Sequence, residues 1–352
     1  MILVVLAHVP FYSYHQSDGM SLSLLPSTFH LALFFFISGW FVIREASFAT
    51  KRHIVPTLRG DATTIRKGYD TEQSSYENNL WFTVYNSFKK KFVQLIVPTV
   101  VFYLLYCWMN GIDIVENLWN DKYKAGYWFC IVLFVFYLTL TITKTITEIF
   151  WAILLFFFAL AMIMLNTNAA TNLLANWNIP NVLCIQQWQY FIFFYLGYLA
   201  HRKQKWFFSW LDDGRIMAMG IVVFVGSLLL WYQKPMNLLG IKVSFLLWGV
   251  LGAVLSFAFF RKYEEWFSSQ TQIGRWLQYV GRRTLDVYLL HFFFLPKSLD
   301  WVGNYVLGNG NQTVELFVSL AITIMVITLC LLTSNIIRLS PLLAHWVLGV
   351  KK

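Results

Sequence analysis

The chain has 352 residues, of which 58% are hydrophobic and only 12% charged, whereas a soluble domain carries about 25% charged residues. This composition excludes an ordinary soluble enzyme and a disordered protein. It also excludes a nucleic-acid-binding domain, although the net charge is +10. The class that remains is an all-α, polytopic integral membrane protein.

Apolar runs recur along the whole chain and predict about ten transmembrane helices. Each helix needs about 20 residues to cross the hydrocarbon of a bilayer, so several of these runs are short. We expect a single transmembrane domain over residues 1–352, with no soluble domain attached. In chain order the segments are 1–14, 29–44, 92–110, 127–143, 148–166, 188–201, 216–232, 243–260, 281–297 and 314–337.

The basic residues predict the orientation of these segments. Most of the 27 Lys and Arg residues fall in alternate loops and in the C-terminal tail. Because positive residues stay cytoplasmic during insertion, those loops and both termini are predicted to be cytoplasmic. The longest of them, residues 45–91, is a polar and basic cytoplasmic loop. Its second half, 81–91, predicts an interfacial amphipathic helix before the third segment.

Three histidines lie in or at the ends of apolar segments. His8 follows an uninterrupted apolar run, His30 opens the second segment and His291 lies inside the ninth. A buried ionisable group is costly in a membrane, which favours a functional role. Histidine suits proton transfer near neutral pH. The alternative is a neutral histidine that bonds a neighbouring helix. Asp286 lies five residues before His291 and so on a different face of the helix.

Ser38 and Gly39 form a small-residue pair in the second segment. Small residues let a second helix approach closely, so helix packing is the favoured interpretation. A nucleophilic Ser38 would require a nearby base that the sequence does not identify. The four cysteines show no metal-ligand spacing, and we expect no metal site.

Two basic clusters are candidates for binding a polyanion. Lys89, Lys90 and Lys91 precede the third segment, and Arg282 and Arg283 precede the ninth. Lysine and arginine bind phosphates strongly. On charge alone, the favoured explanation of these clusters is the cytoplasmic bias of positive charge and the attraction of anionic lipids.

Six short motifs, in order, resemble those of the membrane-bound acyltransferase 3 family. Each motif is weak alone, and their order and spacing make the resemblance specific; two of them are the first-helix histidine and the run of the second helix, which ends in Ser38-Gly39-Trp40. The glycine-to-histidine spacing of the ninth segment is another. The six segments are 3–8, 29–40, 89–98, 127–129, 190–200 and 281–291.

This resemblance implies transfer of an acyl group, usually acetyl, from cytoplasmic acetyl-CoA. The acceptor it implies is a hydroxyl of a cell-envelope or exported polysaccharide or of a lipid-linked sugar. It places the protein in the cytoplasmic (inner) membrane as a multi-pass chain, and His8 in the catalytic position. His30 and His291 are then expected to orient substrate or pass a proton. Lys89, Lys90, Lys91, Arg282 and Arg283 are expected to bind the phosphates of CoA.

The chain departs from the family pattern at two places. The family has a basic residue eleven positions before the first-helix histidine, but His8 has no such predecessor. We therefore expect the first helix to be truncated by roughly 10 to 20 residues, since residues 1–14 are too short to cross a bilayer. The second departure is Gln94, which stands where the family often has arginine, four residues before Pro98.

A transporter or flippase for a lipid-linked sugar or a small metabolite is the alternative function. It shares the fold class and needs few buried charges. A purely structural membrane subunit is a further alternative. The buried histidines and the ordered motifs favour the acyltransferase over both.

Overall fold

The computed structural model describes residues 1–15, 22–53, 80–121, 123–143, 181–233, 238–308 and 311–350, with the single residues 154, 157 and 161. These residues form helices and no strand, as the composition predicts. A helix covers every predicted apolar segment except 148–166, which lies outside the described residues apart from those three.

The described residues contain fifteen α-helices. The α-helices are α1 (Ile2–Ser13), α2 (His30–His53), α3 (Leu80–Lys91), α4 (Val97–Asn110), α5 (Ile114–Asn120), α6 (Trp128–Thr143), α7 (Phe191–Arg202), α8 (Gln204–Asp212), α9 (Gly214–Gln233), α10 (Leu238–Lys262), α11 (Gln272–Arg282), α12 (Thr284–Phe294), α13 (Asp300–Gly308), α14 (Gln312–Arg338) and α15 (Pro341–Leu348). Short 3-10 helices cover Leu22–Thr28, Lys124–Gly126 and Ile185–Tyr190, and a π-helical turn covers Phe92–Ile96.

Three helical stretches among the described residues are long and apolar enough to cross a membrane. They are Phe88–Asn110, Gly240–Lys262 and Gln312–Arg338. The pair α8 and α9, bent by 76°, makes a fourth if it forms one span. Four other helices are apolar but shorter, among them α1 and α12. The number of ten spans and the cytoplasmic termini therefore stay predictions.

The residues of α14 are arranged as in a membrane helix, with polar groups inside and apolar groups outside. In water the apolar stripe of a helix faces the protein core, whereas in lipid the polar side chains turn inward. The buried polar residues of α14 are Glu315, Ser319, Thr323 and Ser334, and its exposed apolar residues are Phe317, Ile324, Leu332 and Ile336. The protein is therefore a helical membrane protein.

The predicted loop 45–91 is partly helical. Helix α2 continues to His53, and α3 runs through the π-helical turn into α4 without a break. No proline or glycine interrupts the chain between Leu80 and Pro98. Pro98 has no N–H to donate to the carbonyl of Gln94, and the π-helical turn precedes it directly. Residues 54–79 of this loop lie outside the described residues.

Helices α2 and α7 cross with their backbones in contact. A Cβ added at Gly39 would lie 1.8 Å from the carbonyl oxygen of Phe194, and one at Gly197 would lie 2.0 Å from that of Phe36. The hydroxyl of Ser38 donates to the carbonyl of Phe34 in its own helix, 2.9 Å away. This arrangement supports the packing interpretation of the Ser38–Gly39 pair.

Helix α14 is antiparallel to both α1 and α12, against which it packs. Tyr14, just after α1, shares a hydrogen bond of 3.1 Å with Ser319 near the start of α14. Near the start of α12, Asp286 accepts a hydrogen bond from Ser334, close to the end of α14. Helices α1 and α12 therefore run in the same direction, which places His8 and His291 at a similar height.

Candidate active site

His8 and His291 meet where α1 passes α12. Their ring centroids lie 5.3 Å apart and the rings are stacked with an interplanar angle of 20°. Phe292 packs beside both imidazoles, and Tyr12, one turn after His8, packs edge-on against the His8 ring. The two histidines that the sequence places at opposite ends of the chain thus form one pair.

A cavity of about 510 Å³ opens beside this pair. His8, His30, Tyr12 and Tyr288 are among its lining residues, and most of the remaining wall is apolar. No Asp, Glu, Lys or Arg lines it among the residues that the structure describes. The cavity therefore brings His8 and His30 together in surroundings of low polarity, where an ionic interaction is strengthened and a charge is costly.

The backbone fixes the proton positions on the two flanking histidines. Nδ1 of His30 lies 2.9 Å from the carbonyl oxygen of Pro26, and Nδ1 of His291 lies 2.7 Å from that of Tyr288. A carbonyl oxygen only accepts, so each Nδ1 carries the hydrogen. In a neutral ring Nε2 is then an acceptor. Nε2 of His291 is buried and has no hydrogen-bond partner among the described residues.

Two tyrosines hold the wall of the cavity against α12. The hydroxyl of Tyr288 donates to the carbonyl of Gly126 (2.8 Å) and accepts from the backbone N–H of Phe129 (3.2 Å). The hydroxyl of Tyr127 donates to the carbonyl of Leu289 (3.0 Å). These bonds join the turn 124–127 to the helix that carries His291.

Lys124 lies between two predicted apolar segments, but its side chain is buried, with 1% of its surface exposed. Its ammonium donates to the backbone carbonyls of Asn117 and Asp121. Burial lowers the pKa of this ammonium. Lys124 and Ala125 both have positive φ, 48° and 50°. The buried lysine therefore stabilises a strained turn beside the cavity.

The structure separates the residues predicted to bind CoA phosphates. Lys89 and Lys90 line a pocket of their own, away from the histidine cavity. The ammonium of Lys91 lies 3.8 Å from the centroid of the Tyr137 ring. Arg282 is exposed and bonds only its own helix among the described residues, through the carbonyl of Gln278.

Arg283 is occupied by contacts between helices. Its guanidinium donates to Ser334 and Asn335 of α14 and lies over the ring of Tyr279. Next to it, the buried carboxylate of Asp286 accepts from Ser334 (2.6 Å) and from Arg338 (2.6 Å). Arg283 and Asp286 thus join α12 to α14.

Replacing Asp286 with alanine is expected to destabilise the protein by about 2–3 kcal/mol. Loss of one partner from a buried pair costs about 3–5 kcal/mol, and Arg338, which remains 27% exposed, reduces that cost. Thermal unfolding of the purified protein measures it. The matched control is Asp212→Ala, which breaks the exposed pair with Arg261. It should have a much smaller effect, and equal effects of the two variants would contradict the role of the α12–α14 network.

Tyr12 and Tyr288 are site residues that sequence reasoning missed. Tyr12 is four residues after His8, and Tyr288 three residues before His291. Because residues at these spacings share one face of a helix, the spacing was the signal that could have found both.

The fold and the site together define a helical membrane protein with a histidine pair beside an internal cavity. The family model of the acyltransferase domain, that of the acyltransferase 3 family, matches residues 1–335, nearly the whole chain. The chain belongs to this family and is an acyltransferase. Comparison with curated proteins and with solved structures found no match.

Proposed function

We propose that the protein transfers an acetyl group from acetyl-CoA to a hydroxyl of a cell-envelope or exported polysaccharide or of a lipid-linked sugar. The observation that carries this proposal is the cavity lined by His8 and His30, with His291 stacked on His8. A base beside a largely apolar cavity of this volume suits acyl transfer to a hydroxyl, because a weakly acidic hydroxyl needs a group that takes its proton.

His8 acts as the general base in this reaction. Its imidazole takes the proton of the acceptor hydroxyl while the oxygen attacks the thioester carbonyl. The carbon–sulfur bond then breaks, and the imidazolium returns the proton to the CoA thiolate. A relay through an acyl-histidine gives the same net reaction in two steps. His291 and His30, each with an acceptor Nε2, orient the acceptor hydroxyl or pass its proton.

The negative charges of the CoA phosphates determine which part of the donor can enter the histidine cavity. The cavity has no charged side chain among its described lining residues, so a polyphosphate would be desolvated there without a partner. The nucleotide of CoA therefore stays outside, and only the arm with the thioester enters. The basic residues around Lys89 and Lys90 hold the phosphates. In the cytoplasmic (inner) membrane these residues would face the cytoplasm, where acetyl-CoA is made.

The proposal is tested with labelled acetyl-CoA and membranes that contain the protein. We expect label from the acetyl group to appear in glycan or lipid-linked sugar, and none in membranes without the protein. Alkaline hydrolysis should release it as acetate, because the product is an ester. Movement of a sugar lipid across the membrane without any acetyl transfer would instead favour the transporter or flippase.

A further inference from the structure

A second pocket lies between α3 and the C-terminal segment of the chain. Its volume is about 400 Å³, and it shares no lining residue with the histidine cavity. One wall holds Lys89, Lys90 and Gln94, and the other holds His345 and Gly349. The second wall lies beyond residue 335, where the family match ends.

The two walls of the pocket are in contact through their backbones. Gly349 has a φ of +65°, and a Cβ added there would lie 2.6 Å from the carbonyl oxygen of Gln94. That carbonyl lies in the π-helical turn, four residues before Pro98, which cannot donate to it. The C-terminal segment therefore seats directly on the turn, and only glycine fits at this contact.

The pocket is lined by groups that favour an anion. Lys89 and Lys90 are positively charged, and no Asp or Glu lines the pocket among the described residues. Nδ1 of His345 lies 2.8 Å from the carbonyl oxygen of Val350 and so carries a hydrogen. A bound phosphate favours a second hydrogen on this ring, at Nε2, because the anion then accepts a hydrogen bond from a positively charged group. Three potential cations in one pocket suit a phosphate group.

We propose that this pocket binds a phosphate of the acyl donor, with His345 of α15 supplying the positive charge that Gln94 does not. This inference rests on the proposed function, since it assumes that the donor is a CoA thioester. The ligand chemistry is a phosphate ester, which CoA carries and which an anionic lipid headgroup also carries.

The experiment measures CoA binding to the full-length protein in nanodiscs of phosphatidylcholine, by calorimetry. His345→Gln should weaken CoA binding about tenfold, the loss expected for one hydrogen bond between charged groups. His345→Arg should retain the affinity. The matched control is Arg275→Gln, which removes one cation from α11, outside the pocket, and should leave the affinity unchanged.

Equal affinities of wild type and His345→Gln for CoA would overturn the proposal, as would a wild-type protein that does not bind CoA. A second arm uses nanodiscs that contain phosphatidylglycerol. If His345→Gln loses bound phosphatidylglycerol while CoA affinity stays the same, the occupant is a lipid headgroup and the donor assignment is wrong. If His345→Gln weakens CoA binding but the wild type transfers no acetyl group, the phosphate site is supported and the proposed reaction is contradicted.

Discussion

Replacing His8 with glutamine is expected to lower the rate of acetyl transfer by at least about 100-fold, because a general acid–base group contributes about 10²- to 10⁴-fold. Glutamine keeps a polar side chain beside His291 but cannot take the proton of the acceptor hydroxyl. The KM for acetyl-CoA should change little, since the phosphates of the donor bind elsewhere. Initial rates of label transfer, normalised to the amount of protein in the membrane, measure both effects.

The matched control is His15→Gln. His15 follows α1 but is exposed, and its Nδ1 lies 2.6 Å from the carboxylate of Asp300 rather than in the cavity. This variant should keep nearly full activity. Undiminished transfer by the His8→Gln protein would remove His8 from the mechanism. Equal losses in both variants would point to damage to the end of α1 instead.

The sequence predicts the helices well because a membrane helix consists of a long run of apolar residues. The run 314–337 gives α14 almost to the residue, and 243–260 lies within α10. The sequence predicts helix boundaries less well where a polar stretch joins an apolar one. Helix α3 continues into α4 because no residue breaks it, whereas the charge of the three lysines suggested a separate interfacial helix.

The sequence does not predict which side chains on different helices are in contact. His8 and His291 were each proposed separately, but their stacking depends on α1 and α12 running in the same direction beside α14. Lys124 is one of the charges between apolar segments, and only the structure shows that the carbonyls of Asn117 and Asp121 bind its buried ammonium. Arg283 resembled a phosphate ligand on charge alone, and only the position of α14 shows that Ser334 and Asn335 occupy it.

The resemblance in the sequence identified the family, and the pocket of Lys89, Lys90 and His345 is the position that we propose for the donor phosphate. Gln94 was a departure from the expected arginine, and the sequence offered Lys89, Lys90 and Lys91 in its place. His345 is far from Gln94 in the chain and outside the matched residues, yet lines the same pocket. In this proposal a substitution on one helix is offset by a side chain on another, which no local motif records.

Replacing Gly39 with alanine is expected to destabilise the protein by about 3 kcal/mol or more, at the upper end for overpacking a buried contact. The added Cβ would lie 1.8 Å from the carbonyl oxygen of Phe194. A backbone atom cannot rotate away as a side chain can, so α2 and α7 must move apart. Gly197→Ala meets the carbonyl of Phe36 in the same way and should have a similar effect. Thermal unfolding in detergent measures the loss.

The loss should extend to activity, because α2 carries His30 and forms part of the cavity wall. The control is Gly226→Ala in α9, where nothing lies within 4 Å of the added Cβ. That variant should be neutral or up to about 1 kcal/mol more stable, since alanine favours a helix over glycine. A Gly39→Ala protein as stable as Gly226→Ala would show that the α2–α7 crossing is not held by backbone contact. A Gly39→Ala protein that does not fold is the extreme of the expected result.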